Sequence, residues 1–428
     1  MKKFISFTLV ALLLLSTLTG CASNTNNTTP NTEDTQNGIQ TYGPNAWDGS
    51  IASSFDGGDG SEGDPYRIAT AEQLAFLASE INSGTSYQGK HFILTSHIDL
   101  ANIQWTPIGT IKHPFDGCFN GQGHTISNLN LDPPFSNVSS GYDIGAGGLF
   151  GYVKNVCISN LTIKNANITI NELRKYDTIK IGILAANMQI NTKCDIHNIK
   201  ILNASINAKK VNLLPLQSHM YFNVGGITGY CSIEKTATCN IYNVHSDINV
   251  SMDDYVVENR VGAIIGVLIN QNKITMSNIA SYLSIKWADT GIQPAGSNLA
   301  GAVGSTSVWD NSNTIISNIY SSVTTNKQSA KEIGALTLDD FYRVNAIFGE
   351  ASNSTGANAI YELTNAFGHV KPSNEGADFS QTYYTLYSSF KNDKHAETNC
   401  QGCDTLPNNH CFDTDIWDVS NPAKPMLK

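Results

Sequence analysis

Six times along this chain an asparagine returns inside the same four-residue frame. The copies are ISNL at Ile126–Leu129 and Ile158–Leu161, IHNI at Ile196–Ile199, IYNV at Ile241–Val244, MSNI at Met276–Ile279 and ISNI at Ile316–Ile319. The recurring residues are Asn128, Asn160, Asn198, Asn243, Asn278 and Asn318, spaced 32 to 45 residues apart. A period in that range marks stacked repeats, and its unevenness points to loops of variable length on a common unit. Side chains of a flat strand alternate between its faces, so apolar residues at i and i+3 would point opposite ways. Ile158 and Leu161, or Ile196 and Ile199, can both face a core only if the chain bends between them. Asparagine is one of the few non-glycine residues that tolerates the left-handed backbone of such a bend. Each unit therefore reads as strand, Asn corner, strand.

A second element precedes the later corners: small, apolar, apolar, small. It occurs as GLFG (Gly148–Gly151), GILA (Gly182–Ala185), GITG (Gly226–Gly229), AIIG (Ala263–Gly266), GAVG (Gly301–Gly304) and AIFG (Ala346–Gly349). The last of these opens a rung that decays into IYEL. Two linked elements in constant order predict an all-β fold, a parallel β-helix, with strands stacked about 4.8 Å apart and aliphatic residues inside. The six asparagines would form a column of bonded amides. A Greek-key sandwich has no need of one corner per repeat, and propeller blades carry four strands of more even length. The dense stretch HPFDGCFNGQGHTISNLNL (His113–Leu131) then reads mostly as turns and anchors rather than as a site for His113, Asp116 or His124.

A solenoid needs covered ends. Thr70 followed by Gln73 makes a capping box, Leu74, Leu77, Ala78 and Ile81 fall on one helical face, and Gly84 suits the stop, which predicts an N-terminal amphipathic capping helix. HFILTSHIDL alternates as a strand. At the other end TYYTLYSSF reads as a strand, and Trp417 and Met426 are candidate plugs for the last coil.

The first 20 residues carry Lys2 and Lys3, an apolar run and then small residues before Cys21, as an export signal does. Leu18-Thr19-Gly20-Cys21 resembles the lipobox of bacterial lipoproteins, which implies acylation of Cys21, with palmitate among its chains, and a membrane partner reached through lipid. The polar stretch that follows cannot form a core and reads as a tether. These features divide the chain into signal 1–20, tether 21–45, N-terminal cap 46–110, repeats 111–366 and C-terminal cap 367–428 with a Cys-rich loop. Without Lys2 and Lys3 the formal charge falls from −10 to −12, the wrong sign for a nucleic-acid partner.

GDGSEGDPYRIATAEQLAFLASEINSG, DLANIQWTPIG, FDGCFNGQGHTISNL, GGLFGYV and IWDVSNPAKPML together resemble bacterial surface proteins built from GLUG-type repeats. The resemblance runs from about Gly57 to the C-terminus and implies a right-handed parallel β-helix with an N-terminal helical cap, on an exported or anchored protein. Similar repeats occur in streptococcal IgA-cleaving metallopeptidases, whose separate catalytic domain holds zinc through H-E-x-x-H. No His here is followed by Glu, so the resemblance carries architecture without that protease activity.

Candidate chemistry is sparse. Cys194 and Cys239 each lie four residues before their corner asparagine and would sit one above the other, within reach of a disulfide or as simple buried thiols. Cys400, Cys403, His410 and Cys411 suit bridges or free thiols in an exported protein, with structural zinc as the alternative. Asp56, Asp59, Glu62 and Asp64 could gather Ca²⁺, although Asp-Gly runs are commonly turns. Asp253 and Asp254 near Arg260 form the compact charged cluster inside the repeats that a polysaccharide lyase or hydrolase would need. The expectation at this point is a non-enzymatic surface lipoprotein without cofactor, presenting a β-helix to a glycan or surface protein. A β-helix polysaccharide lyase or hydrolase and a purely structural envelope component stand as the alternatives.

Overall fold

The computed structural model describes residues 46–132, 145–171, 178–208, 221–252, 258–287, 297–309, 311–326, 343–345, 347–353, 360–372, 394–398, 400–403, 407 and 412–428. Cys21, Asp253, Asp254, His410, Cys411 and the strand expected over TYYTLYSSF lie outside these residues.

The fold is a parallel β-helix of three walls. The long wall stacks Tyr66–Ile68, His91–Leu94, Cys118–Asn120, Cys157–Lys164, Lys193–Ala208, Thr238–Met252, Lys273–Trp287, Asn313–Thr325, Ile360–Pro372 and Lys394–Thr398 in that order. A second wall stacks Gly145–Gly147, Thr178–Gly182, Tyr221–Gly225, Glu258–Gly262, Asn298–Ala300 and Arg343–Asn345. The third stacks Phe150–Lys154, Ala185–Ile190, Thr228–Ile233, Ile265–Asn270, Val303–Val308 and Phe348–Asn353. Pairing within all three walls is parallel, and each middle coil runs second wall, third wall, long wall.

The long strands turn within themselves at the corner asparagines. Asn160, Asn198, Asn243, Asn278 and Asn318 all hold left-handed backbone, with φ between 52° and 54°. That bend puts the residues before and after it on the same inner side. Ile158, Ile196, Ile241, Met276, Ile316 and Leu363 stack in register ahead of the corner, and Leu161, Ile199, Val244, Ile279, Ile319 and Ala366 behind it. All are sealed from solvent. Full burial of one such side chain stabilises by roughly 1.5–3 kcal/mol, so aliphatic columns, repeated coil after coil, hold the stack.

Three sequence expectations need correction. Asn128 is left-handed (φ 58°) but does not belong to the main column. Its strand Thr125–Ser127 pairs with Thr162–Lys164, so it stands over Asn165, and its amide bonds Asp99 at 2.7 Å. The main column instead has Gly121 under Asn160, and added bulk at Gly121 would collide with the Asn160 carbonyl at 2.5 Å. The rung after AIFG does not decay: Leu363-Thr364-Asn365-Ala366 pairs with Ile316-Ser317-Asn318-Ile319, and Asn365 repeats the corner at φ 52°. The small-residue unit of one coil is also shifted by one residue. Thr228 pairs with Ala185, so Ala186, not Ala185, lies level with Gly229.

The helix spans Ala71–Ser83, with Thr70 as N-cap accepting from the Gln73 N–H and Gly84 left-handed at its end (φ 110°). The Gln73 side chain reaches back to the Ala69 N–H at 2.7 Å, closing the start. Leu74, Leu77, Ala78 and Ile81 are buried in the main core. Phe55, Tyr66, Tyr87 and Phe92 pack ring against ring beside it, at centroid distances of 4.8 to 6.0 Å. Phe115 and Phe119 of the opening dense stretch are fully buried anchors.

The C-terminal segment does not plug the last coil. Trp417–Asp418 and Met426–Leu427 form a short antiparallel hairpin that packs on the outer face of the long wall. Trp417 and Leu427 are buried there while Met426 is exposed, because in this short strand neighbouring side chains point to opposite sides.

Candidate functional site

The asparagine corners form a continuous amide ladder. Asn160 Nδ2 donates to Asn120 Oδ1 at 3.0 Å, and Asn198, Asn243, Asn278, Asn318 and Asn365 each donate to the preceding corner at 2.7, 2.9, 3.1, 3.0 and 2.8 Å. A primary amide carries two N–H donors and an oxygen with two lone pairs. At Asn198 and Asn243 the ladder uses one donor and one lone pair, leaving the other pair at the half-buried outer edge of the corner, whereas the Asn160 amide also reaches Ser159 Oγ at 3.5 Å.

Three rungs of that edge, Asn160, Asn198 and Asn243, line a groove of about 640 Å³. Thr162 and Lys200 of the long wall continue its floor, and Asp415, Ile416, Leu427 and Lys428 of the hairpin form the facing side. The hairpin is held there by a second apolar cluster, separate from the interior of the coils: Ala280, Tyr282, Tyr320 and Phe367 from the wall, and Phe412, Trp417 and Leu427 from the C-terminus. Phe412 and Trp417 meet edge to face at 5.0 Å. The Tyr282 hydroxyl donates to the Pro425 carbonyl at 3.0 Å, and Lys424 pairs with Asp247 at 2.7 Å. Lys428 donates from its ammonium to the Thr414 carbonyl at 2.6 Å, which ties the two ends of the hairpin segment together.

Lys200 distinguishes the groove chemically. It is half-buried, desolvation lowers its ammonium below the ordinary lysine range, and no carboxylate among the described residues pairs with it. Sequence reading missed the groove, although a signal existed. Tyr320 and Phe367 stand two residues after their corners and Tyr282 four, positions that face outward, and large aromatics at outward positions call for a cover.

The residues singled out from sequence fall elsewhere. Cys194 and Cys239 are register partners, as their spacing implies, but both stand as free thiols inside the coil. A contact with Cys239 and burial push the Cys231 thiol well above its usual range, and Cys239 is pushed up beside Cys194, so both stay protonated. Among the described residues a disulfide joins Cys118 to Cys157, with Cα atoms 4.5 Å apart. Cys118 and Cys157 lie three residues before their corners and face out, whereas Cys194 and Cys239 lie four before theirs and face in. Cys400 and Cys403 are half-buried, and the Cys400 thiol lies 3.5 Å from the Leu363 carbonyl. Among the described residues no group of three or more His, Cys, Asp or Glu side chains is placed to hold a metal ion. Asp59 accepts from the Ser61 N–H and Asp64 pairs with Arg67 at 2.8 Å, which makes these acids turn formers. Burial raises the Asp116 carboxyl, with Lys154 and Asn155 opposing. His124 packs its ring on His97 at 5.1 Å. Arg260 lies over the Tyr221 ring at 4.5 Å on the second wall.

This architecture defines a parallel β-helix with an amide-lined groove. No family model matches the chain. Over 120 residues it is 32% identical to a "Putative Gly-rich membrane protein" of Evansella cellulosilytica, matching 28% of this chain and 13% of that protein. Over 132 residues it is 33% identical to "Halomucin" of Haloquadratum walsbyi, matching 28% of this chain and 1% of that protein. The chain thus spans a small part of the length of these relatives. Among solved structures, that of "a putative immunoglobulin A1 protease from Bacteroides ovatus" superposes with a TM-score of 0.51 at 16% identity, covering 87% of this chain and 95% of that one. Likeness at that identity is likeness of fold. It nevertheless corrects the expectation of a non-enzymatic protein, which rested on sparse candidate chemistry, because the same fold is carried by a chain named for proteolysis.

Proposed function

We propose that this chain is a cell-envelope protein of the GLUG-repeat kind whose groove binds an extended glycan carrying acidic groups. The observation that supports it is the pairing of spare ladder amides with an unpaired, half-buried Lys200 along one groove. Repeated amides offer the donor and acceptor pairs that hydroxyl-rich ligands need, and a desolvated ammonium gains most from a carboxylate or phosphate. Envelope placement draws on the relative named as a membrane protein. In the same reading Cys21 carries the lipid and residues 21–45 are the tether. A Cys21→Ala variant then loses incorporated fatty acid and leaves the membrane fraction, and an unchanged membrane fraction would count against the anchor.

Titration calorimetry with an oligogalacturonate and a neutral oligosaccharide of equal length tests the groove. The acidic oligomer is expected to bind more tightly, and Lys200→Met to weaken it about tenfold or more, the value of one charge-assisted hydrogen bond. The neutral oligomer should be unaffected by that change. Equal affinity for both oligomers, or no effect at Lys200, sinks the proposal. The same samples, with immunoglobulin A1 added to the panel because of the structural neighbour's name, are examined for new chain ends. Cleavage would assign a reaction as well as binding to the groove.

A further inference from the structure

The hairpin that forms one side of the groove sits on a histidine that has no partner. His245 is two residues past the corner Asn243, so it faces outward, yet only 1% of its surface remains exposed beneath the C-terminal segment. Neither ring nitrogen has a hydrogen-bond partner. The Tyr282 ring lies 5.3 Å away on the next strand. The Pro425 carbonyl approaches the imidazole without reaching hydrogen-bond geometry, and accepts from Tyr282 instead. Trp417, in the same cluster, also buries its indole N–H without a partner. Buried polar groups without partners oppose docking. The attachment is therefore a balance between the apolar cluster and the Asp247–Lys424 pair on one side and these unpaired groups on the other.

We propose that His245 makes docking of the C-terminal hairpin acid-labile, so that protonation of this one imidazole lifts the hairpin and opens the side of the groove that it forms. The inference rests on the groove being the binding site only for its consequence; the release itself needs no ligand. Asp247 on the same strand favours the imidazolium, while Lys200 on the preceding strand and Lys424 of the hairpin oppose it, and Tyr282 on the following strand stays neutral. Desolvation is the largest influence and pushes His245 down from 6.5 to about 4. Undocking returns the ring to water and to an ordinary pKa near 6.5. A group whose pKa is lowered by docking binds more protons when undocked. Docking is thus at full strength above about pH 6.5 and weakens as pH falls toward about 4. Between pH 8 and pH 5 the undocking equilibrium should rise on the order of 30-fold.

Hydrogen exchange of the full-length protein, corrected for the pH dependence of chemical exchange, reads this opening directly even while the docked form predominates. The hairpin amides are suitable reporters, because a hairpin with two residues in each strand has no stability of its own. From pH 8 to pH 5, protection at Trp417 and Lys428 should drop on the order of 30-fold while the strand Lys273–Trp287 keeps its protection. In His245→Gln, a neutral side chain at both pH values, hairpin protection should not change. Constant protection in the wild type, an equal drop in His245→Gln, or parallel loss in the wall strand overturns the proposal. If His245→Gln does not fold, the wild-type comparison of hairpin with wall still decides it. Glycan titration without any hairpin opening would leave the binding proposal standing and remove this one.

Discussion

Replacing Gly229 with valine is expected to destabilise the coils around it by about 3 kcal/mol or more, at or beyond the upper end of the usual overpacking range. A Cβ at this position would lie 2.5 Å from the Ile181 nitrogen and 2.6 Å from the Asn223 carbonyl oxygen. Both are backbone atoms of second-wall strands, fixed by parallel neighbours above and below, so nothing flexible can move aside. Stacked repeats couple mainly to their nearest neighbours. Hydrogen exchange should therefore show the loss first in the strands at 178–190 and 221–233, with the global urea midpoint falling afterwards. Gly63→Ala serves as the control: its added methyl meets nothing within 4 Å, and the change should stay within about 0.5 kcal/mol. Equal midpoints for the two variants would mean that the wall junction is looser than its geometry.

Asn243→Ala should cost about 3–4 kcal/mol, assembled from two separable effects. Alanine removes the bond to Asn198 at 2.9 Å and the bond from Asn278 at 3.1 Å. Each contributes about 1 kcal/mol net. It also forces an alanine into left-handed backbone at φ 53°, which costs roughly 1–2 kcal/mol. Asn243→Gly loses the same two bonds but adopts that backbone freely, so it should recover roughly the 1–2 kcal/mol of strain. Asn243→Asp separates the bonding further, since a carboxylate still accepts from Asn278 but has nothing to donate to Asn198. Urea unfolding of the three variants resolves the ladder from the bend. If glycine is as harmful as alanine, backbone strain has no part in choosing asparagine at the corners.

These two sites also show what could be read from residues alone. The parity of Ile196 and Ile199 about Asn198 fixes a bend, and Thr70, Gln73 and Gly84 delimit a helix, because both are set by neighbours in sequence. Asn128 misleads because ISNL occurs twice in identical letters, and only strand register tells that the first copy stands one column over. Ala185 and Ala186 are both small, so GILA cannot declare its own frame. The Cys118–Cys157 bridge is hidden because Gly121, rather than an asparagine, occupies the corner that would have aligned the two cysteines. The groove was the least legible part. It needs Tyr282 to meet Pro425 across 143 residues, and no local pattern encodes that meeting beyond large rings at outward positions. Presence or absence of a reaction was not legible at all, because a fold inferred from repeats says nothing about what its outer face does.

Residues 209–220, 253–257, 288–296 and 327–342 differ in length, yet each lies between a strand of the long wall and the next strand of the second wall, and those strands stay paired in parallel, with one shift of register between Ile201 and Ala204. The widest variation in chain length falls at this seam, while the links from the third wall to the long wall, such as Ile190 to Lys193 and Ile233 to Thr238, vary less and the amide corners stay in step. A foreign epitope spliced between Ala208 and Tyr221 should leave the melting temperature nearly unchanged, since no rung shifts against its neighbour. Such a column can acquire new surface sequence at that seam without renegotiating how it folds.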